Sequence, residues 1–168
     1  MNINTPFSDN LRALTEGTGA AIEPDRNNAT AANRGVTIPG VGTYYFIPDT
    51  VDDEFVHLTL RWAAAVAGTI TLETTDYPSV LRDGSTVDVS DFQASGQDWD
   101  PEAAGIGLAS VAGTGNSLSG LTLTLGGTNA GKARFNLYNL ASRRLRVKLV
   151  ASAGGIIRVA CNGMRGAI

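Results

Sequence analysis

The chain has few of the residues on which enzyme chemistry most often depends. Its 168 residues include a single histidine, His57, and a single cysteine, Cys161. One cysteine excludes an internal disulfide, and the apolar run 156–161 around it predicts a buried thiol. A hydrolase triad would have to use His57, and no serine stands in the glycine-flanked turn that exposes such a nucleophile. We therefore expect a protein that is not an enzyme.

Motifs for metals and cofactors are equally scarce. Two acidic clusters, residues 49–54 and 98–102, offer carboxylates, but neither has the glycine that a calcium loop requires. The glycines at 113–115 lead into another predicted strand instead of a helix, which indicates a turn and not a phosphate-binding loop. We expect no metal and no cofactor, and we interpret both acidic clusters as solvated loops.

Long hydrophobic runs are also missing. No stretch approaches the roughly 20 apolar residues that cross a bilayer as a helix. The first ten residues, MNINTPFSDN, have neither the basic start nor the apolar centre of a signal peptide. The sequence predicts a protein that is made in a cytoplasm and has no membrane partner.

Negative charge is absent from the last 66 residues. All sixteen acidic residues lie between Asp9 and Glu102, and because only five arginines accompany them, residues 1–102 carry a formal charge of −11. Residues 103–168 hold the other eight basic residues, a charge of +8, so the net charge of −3 conceals the separation. Such segregation favours contact between acidic and basic parts, within one chain or between copies.

Turn residues and strand periodicity are abundant. Twenty glycines and only 17% charged residues are typical of an all-β protein with many turns. Apolar and polar residues alternate through 55–62 and again through 69–75, as in half-buried strands, and 63–68 is short enough for a hairpin loop between them. The whole pattern predicts a single β-sandwich, jelly-roll-like, of about eight or nine short antiparallel strands.

The first 35 residues differ from the rest of the chain. They are polar and lack an apolar period, apart from a short possible helix at 8–14 for which Ser8 would be the cap. We expect residues 1–35 to form an N-terminal arm that is extended or partly disordered by itself, and residues 36–168 to form the sandwich domain.

A run of cations is the sharpest local pattern. On a strand at 144–150, alternate residues are basic and would project from one face, while the residues between them are apolar and enter the core. The strands before and after it also carry cations on their outward faces. If the three strands are neighbours, six cations share one surface, which we call the basic stripe: Lys132, Arg134, Arg144, Arg146, Lys148 and Arg158.

We expect the basic stripe to have a partner, because like charges that face each other across strands cost stability. One candidate is internal, from Glu73, Asp76, Asp83 or the acidic half of the chain. A second is another protein, either a second copy or a different acidic surface. A third is nucleic acid, which the lack of interleaved aromatic residues and the acidic net charge disfavour.

Aromatic residues provide a different hypothesis. Trp99, together with Tyr44 and Tyr45, would form a platform on which a sugar ring stacks. The competing interpretation of Trp99 is an anchor that fixes a long loop to the sandwich.

Three segments resemble small structural proteins of tailed bacteriophages: RWAAAVAGTITLETTDYP (61–78), KARFNLYNLASRRLRVKLVASAGG (132–155) and IIRVACNG (156–163). The resemblance extends over residues 43–163 and is one of pattern, so it transfers no functional residue. It implies a β-sandwich that coats the head as a cement or decoration subunit, or that lies at a vertex or fibre base.

From this resemblance we expect a non-enzymatic virion protein that stabilises a capsid shell. Its partners would be the major capsid protein or other virion proteins, and the chain itself would form a homo-oligomer such as a trimer. The basic stripe would contact an acidic surface of the shell. The alternative is a carbohydrate- or receptor-binding module of a phage particle.

Overall fold

The structure is a computed structural model that describes residues 8–9, 13–15, 21–22, 35–46, 53–75, 100–101, 106–112, 115–119, 122–138 and 144–165. No helix in these ranges is long and apolar enough to cross a membrane. Their regular structure consists of β-strands alone, as follows: β1 (Ser8–Asp9), β2 (Ala13–Thr15), β3 (Ala21–Ile22), β4 (Val36–Ile38), β5 (Gly42–Phe46), β6 (Asp53–Trp62), β7 (Ala67–Thr75), β8 (Asp100–Pro101), β9 (Ile106–Ala112), β10 (Ser117–Ser119), β11 (Thr122–Gly126), β12 (Gly131–Tyr138), β13 (Arg144–Ala153) and β14 (Gly155–Arg165).

These strands form two antiparallel sheets that pack as a sandwich. Sheet A has the order β1–β14–β6–β12–β9, with β4 also paired to β14. Sheet B has the order β10–β11–β7–β13–β5–β2–β3, with β8 also paired to β7. From β4 onward the main strands alternate between the sheets along the chain, so each long connection crosses the sandwich. The all-β sandwich predicted from the sequence is confirmed.

The pairing of eight strands is nested. The first, β4, pairs with the last, β14, and β5 pairs with β13. Inside these pairs, β6 pairs with β12 and β7 pairs with β11. A long antiparallel hairpin wrapped around a barrel gives this arrangement, which is the jelly-roll topology. The ninth main strand, β9, extends sheet A beyond β12.

The core lies between the sheets because each main strand alternates apolar and polar residues. Cys161 belongs to this core, and the predicted buried thiol is confirmed. The largest fully buried core side chains come from both sheets, and they are Ile38, Phe46, Leu58, Leu60, Ile70, Leu123, Leu137, Leu145, Leu149 and Ile157.

The predicted hairpin between β6 and β7 is wrong. These strands belong to different sheets, and the segment that joins them turns from sheet A into sheet B. Ala63 N donates a hydrogen bond to Ile156 O at 2.9 Å, and the side chain of Val66 is fully buried in the core. Alternation along a strand identifies its apolar face but not its neighbour, so the sequence could not separate a hairpin from a crossing.

The predicted helix at 8–14 is also wrong where the structure describes it. Residues 8–9 form β1, which pairs with β14, and residues 13–15 form β2, which pairs with β5. A helix of two turns is only marginally stable by itself, whereas each sheet offers an edge with unpaired backbone groups. The described part of the predicted N-terminal arm therefore adds strands to both sheets, with β3 paired to β2.

Gly68 allows β7 and β13 to approach closely, and a substitution there tests this contact within sheet B. Its φ is +140°, and a Cβ atom there would lie 2.1 Å from Val150 O. We expect Gly68→Ala to lower the free energy of unfolding by about 2 kcal/mol, because the backbone must shift or remain strained. Urea unfolding followed by circular dichroism measures this change.

Gly40→Ala is the matched control, because a Cβ atom at Gly40 would meet no heavy atom within 4 Å. Its stability should stay within about 1 kcal/mol of wild type. Equal losses in the two variants would contradict the described contact between β7 and β13.

Candidate functional site

The structure divides the predicted basic stripe between the two sheets. Sheet A carries Lys132, Arg134 and Arg158, and sheet B carries Arg144, Arg146 and Lys148. The single surface expected from three neighbouring strands is therefore wrong. The strands β12, β13 and β14 follow one another in the chain but lie in sheets A, B and A, so β13 is not a neighbour of the other two.

On sheet B, Arg146 and Lys148 have an internal partner. Arg146 Nε donates to Glu73 Oε2 at 2.6 Å, and Lys148 Nζ lies 3.6 Å from Glu73 Oε1. The register explains the contact, because Arg146 is directly opposite Glu73 on the neighbouring β7. Glu73 is one of the internal partners proposed from the sequence, and this pairing is confirmed for Arg146 and Lys148.

The pair on sheet B is buried although it lies on the face turned away from the core. Arg146 is 2% exposed and Glu73 is 6% exposed. The guanidinium carbon of Arg146 also lies 4.4 Å from the centroid of the Tyr45 ring, a cation–π contact. A buried ion pair of this kind is costly to break, because the remaining charge has neither water nor a counter-charge.

The burial of two tyrosines removes most of the predicted sugar platform. Tyr45 is fully buried against Arg146, and Tyr44 is 3% exposed within the core. The hydroxyl of Tyr44 donates a hydrogen bond to Gly40 O at 3.1 Å. Neither ring is available to stack on a sugar, and Trp99 lies outside the described residues.

On sheet A the cations face solvent and stand in one row. In the central strand β6, Arg61 is directly opposite Lys132 of β12 on one side and Arg158 of β14 on the other. Arg61 is exposed, and its two neighbours are partly exposed. Like charges in direct cross-strand opposition are destabilising.

The next row along sheet A is concave. Arg134 of β12 is opposite Thr59 of β6, which in turn is opposite the small residue Ala160 of β14. A partly open groove of about 260 Å³ lies over this row. We call it the arginine groove, and it is lined by Thr59, Arg61, Arg134, Arg158 and Ala160.

One step farther along β6, the sheet A face becomes neutral and polar. His57 Nδ1 and Asn136 Oδ1 form a hydrogen bond of 2.6 Å between β6 and β12. This contact holds the His57 side chain against the neighbouring strand β12.

Three cations of sheet A form no ion pair with any side chain that the structure describes. Both salt bridges among the described side chains involve Glu73 on sheet B, and neither reaches Arg61, Lys132 or Arg134. These three residues lie beside Arg158, and we call the surface formed by the four the cationic face.

Sequence reasoning missed Arg61 as a member of this surface. The alternation of β6 did place Arg61 on the outward face, but the basic stripe was assembled from strands that follow one another in the chain. The missing information was the pairing of β6 with both β12 and β14. Nothing local to residue 61 signals that pairing.

The outer face of sheet B also contains an uncharged row, beyond the pairs that Arg146 and Lys148 form with Glu73. One row crosses five strands in register and carries hydroxyl or aliphatic side chains only: Ser117, Thr124, Thr69, Val150 and Thr43. Val150 is among the large hydrophobic residues that remain exposed, at 45%. Such a surface loses little hydration energy when protein covers it, since it has no charge to desolvate.

The acidic clusters predicted from the sequence fall largely outside the described residues. Asp53, Glu54 and Asp100 have described backbones, in β6 and β8. Within the described part of the chain, no three His, Cys, Asp or Glu side chains come together as a metal site would require.

Replacing Glu73 tests the buried pair. Glu73→Gln should lower the free energy of unfolding by about 3 kcal/mol, because Arg146 would be left buried without its counter-charge. The double variant Glu73→Leu/Arg146→Met removes both charges and should recover most of this loss. Chemical unfolding of the two proteins makes the comparison, and a Glu73→Gln variant as stable as wild type would contradict a buried, interacting pair.

Comparison of the chain with protein-family models, with curated proteins and with solved structures gave no significant match.

Proposed function

We propose that the chain is a non-enzymatic virion structural protein that binds and stabilises a capsid shell through protein–protein contacts. Its site of action is the virion, after synthesis in the cytoplasm of a host. The shell partner is the major capsid protein or another virion protein, and the chain acts as a homo-oligomer.

The cationic face is the observation that carries this proposal. Arg61 stands between Lys132 and Arg158 in register, with Arg134 in the next row. A row of like charges costs folding stability. An acidic partner surface would offset that cost, because opposite charges at an interface attract and steer the two proteins together.

The two outer faces of the sandwich support different roles in an assembly. The cationic face of sheet A is specific for an acidic surface. The hydroxyl-rich row of sheet B is suited to close contact with a neutral surface, such as another subunit. A shell subunit needs contacts on more than one side, and this division provides them.

The stabilising effect follows from linkage. A protein that binds the assembled shell more tightly than its separated parts shifts the equilibrium towards the assembled state. No chemical step is needed, and the strength of the effect depends only on affinity and concentration.

Electron microscopy tests the proposed location. Antibodies raised against the recombinant chain should label shells in gradient-purified particles from the cells that produce it. If the chain stays in the soluble fraction and no shell is labelled, the proposal is wrong.

A rebinding assay tests whether the cationic face contacts the shell. Shells stripped of the chain should recover it in a pull-down, and Arg61→Gln should bind about tenfold more weakly, since a charge-assisted contact contributes on the order of 1.5 kcal/mol. Lys148→Gln also removes one positive charge, but from sheet B, and should bind like wild type. Equal binding by all three proteins would exclude the cationic face from the contact.

A further inference from the structure

The shape of the arginine groove indicates the kind of group it takes. Its floor consists of Thr59 and Ala160, two small residues that are directly opposite each other on β6 and β14. Arg134 bounds one side, from β12. Arg61 and Arg158 bound one end, in the adjacent row. Because β12 and β14 flank β6, their backbones are about 10 Å apart, and the long arginine side chains rise on both sides of a low centre.

The groove also has a defined border beyond β14. The strand β1 pairs there, with Asp9 opposite Ala160 and Ser8 opposite Cys161. The same row continues in the other direction to Ser110 of β9, which is opposite Arg134. The residues that line the groove come from the three central strands β6, β12 and β14. It is a local depression and not a channel that continues across the sheet.

The chemistry of the lining is that of an oxyanion site. Each guanidinium group carries several N–H donors in a planar fork, which matches the two oxygens of a carboxylate. The hydroxyl of Thr59 adds a donor at the floor. Arg61 and Arg134 are exposed and make no ion pair within the described residues, so their donors are available to a ligand.

We infer that the arginine groove is a socket for an acidic side chain of a partner protein, whose carboxylate is held between Arg134 and Arg61. This inference rests on the proposed function, since it names the group by which the shell partner would be recognised. It also assigns Ala160 a role, because a small residue there keeps the floor of the socket open.

The observations favour a protein carboxylate over a nucleic acid. Single-stranded nucleic acid binding combines a basic track with aromatic residues that stack on the bases. The lining of the arginine groove has no aromatic residue, and its volume of about 260 Å³ suits a side chain more than a strand of phosphates. The net charge of −3 also opposes general binding to a polyanion.

The test uses a short poly-glutamate peptide as the probe and the full chain as the receptor. Calorimetric titration at low salt should give saturable binding, and nuclear magnetic resonance should show shifts of the Thr59 and Ala160 amide signals. Arg134→Gln should weaken binding about tenfold. Ala160→Leu should weaken it similarly, because the larger side chain fills the floor without changing any charge.

Lys148→Gln controls for net charge, and thermal unfolding confirms that each variant is folded. If Ala160→Leu binds the peptide like wild type, the attraction is diffuse and there is no socket. The socket is also excluded if the peptide causes no shift at Thr59 or Ala160. Tighter binding of a single-stranded oligonucleotide than of the peptide would overturn the assignment to a protein partner.

The outcomes separate this inference from the proposed function. If shells are labelled by the antibody but Ala160→Leu rebinds to them like wild type, the socket is wrong and the shell function stands. If the peptide occupies the groove but no shell is labelled, the socket stands and the shell function is wrong.

Discussion

The pairing of β6 with both β12 and β14 determines the core topology and the composition of the cationic face. It closes the inner part of the jelly roll, because β6 and β12 are joined through strands that cross to sheet B and return. It also brings together outward residues from three distant parts of the chain. This register places Arg61 between Lys132 and Arg158. It also places Thr59 opposite Ala160, and these two small residues form the floor of the arginine groove.

The cations of the two sheets have opposite environments. On sheet B, Arg146 is buried, pairs with Glu73 at 2.6 Å and packs on Tyr45, so its charge is compensated within the chain. On sheet A, Arg61 and Arg134 remain exposed with no described counter-charge. In the first arrangement the charges compensate each other within the chain. The second costs folding stability, and the proposed contact with an acidic surface would offset that cost. This difference makes sheet A the better candidate for a contact surface.

The sequence predicted the fold class but not the site. Alternation in segments such as 55–62 identified strands and their inward faces, since that signal is local. The identity of each strand's neighbour is not encoded locally. Residues 63–68 connect two sheets where a hairpin was expected, and the residues of the basic stripe lie on both sheets. Arg61 was missed for the same reason. Glu73 was one of several acidic residues offered as internal partners of the basic stripe, and the pairing of β7 with β13 places it opposite Arg146.

Urea unfolding of Arg61→Gln and wild type at low and high salt tests whether the charge of Arg61 is uncompensated in the folded chain. At low salt the variant should be more stable by about 0.5 kcal/mol, because removal of the central charge relieves repulsion from Lys132 and Arg158. At high salt, screening should make the two proteins equally stable. A variant that is less stable than wild type at low salt would show that Arg61 has a counter-charge within the chain. That result would contradict the proposed role of Arg61 as an uncompensated contact residue.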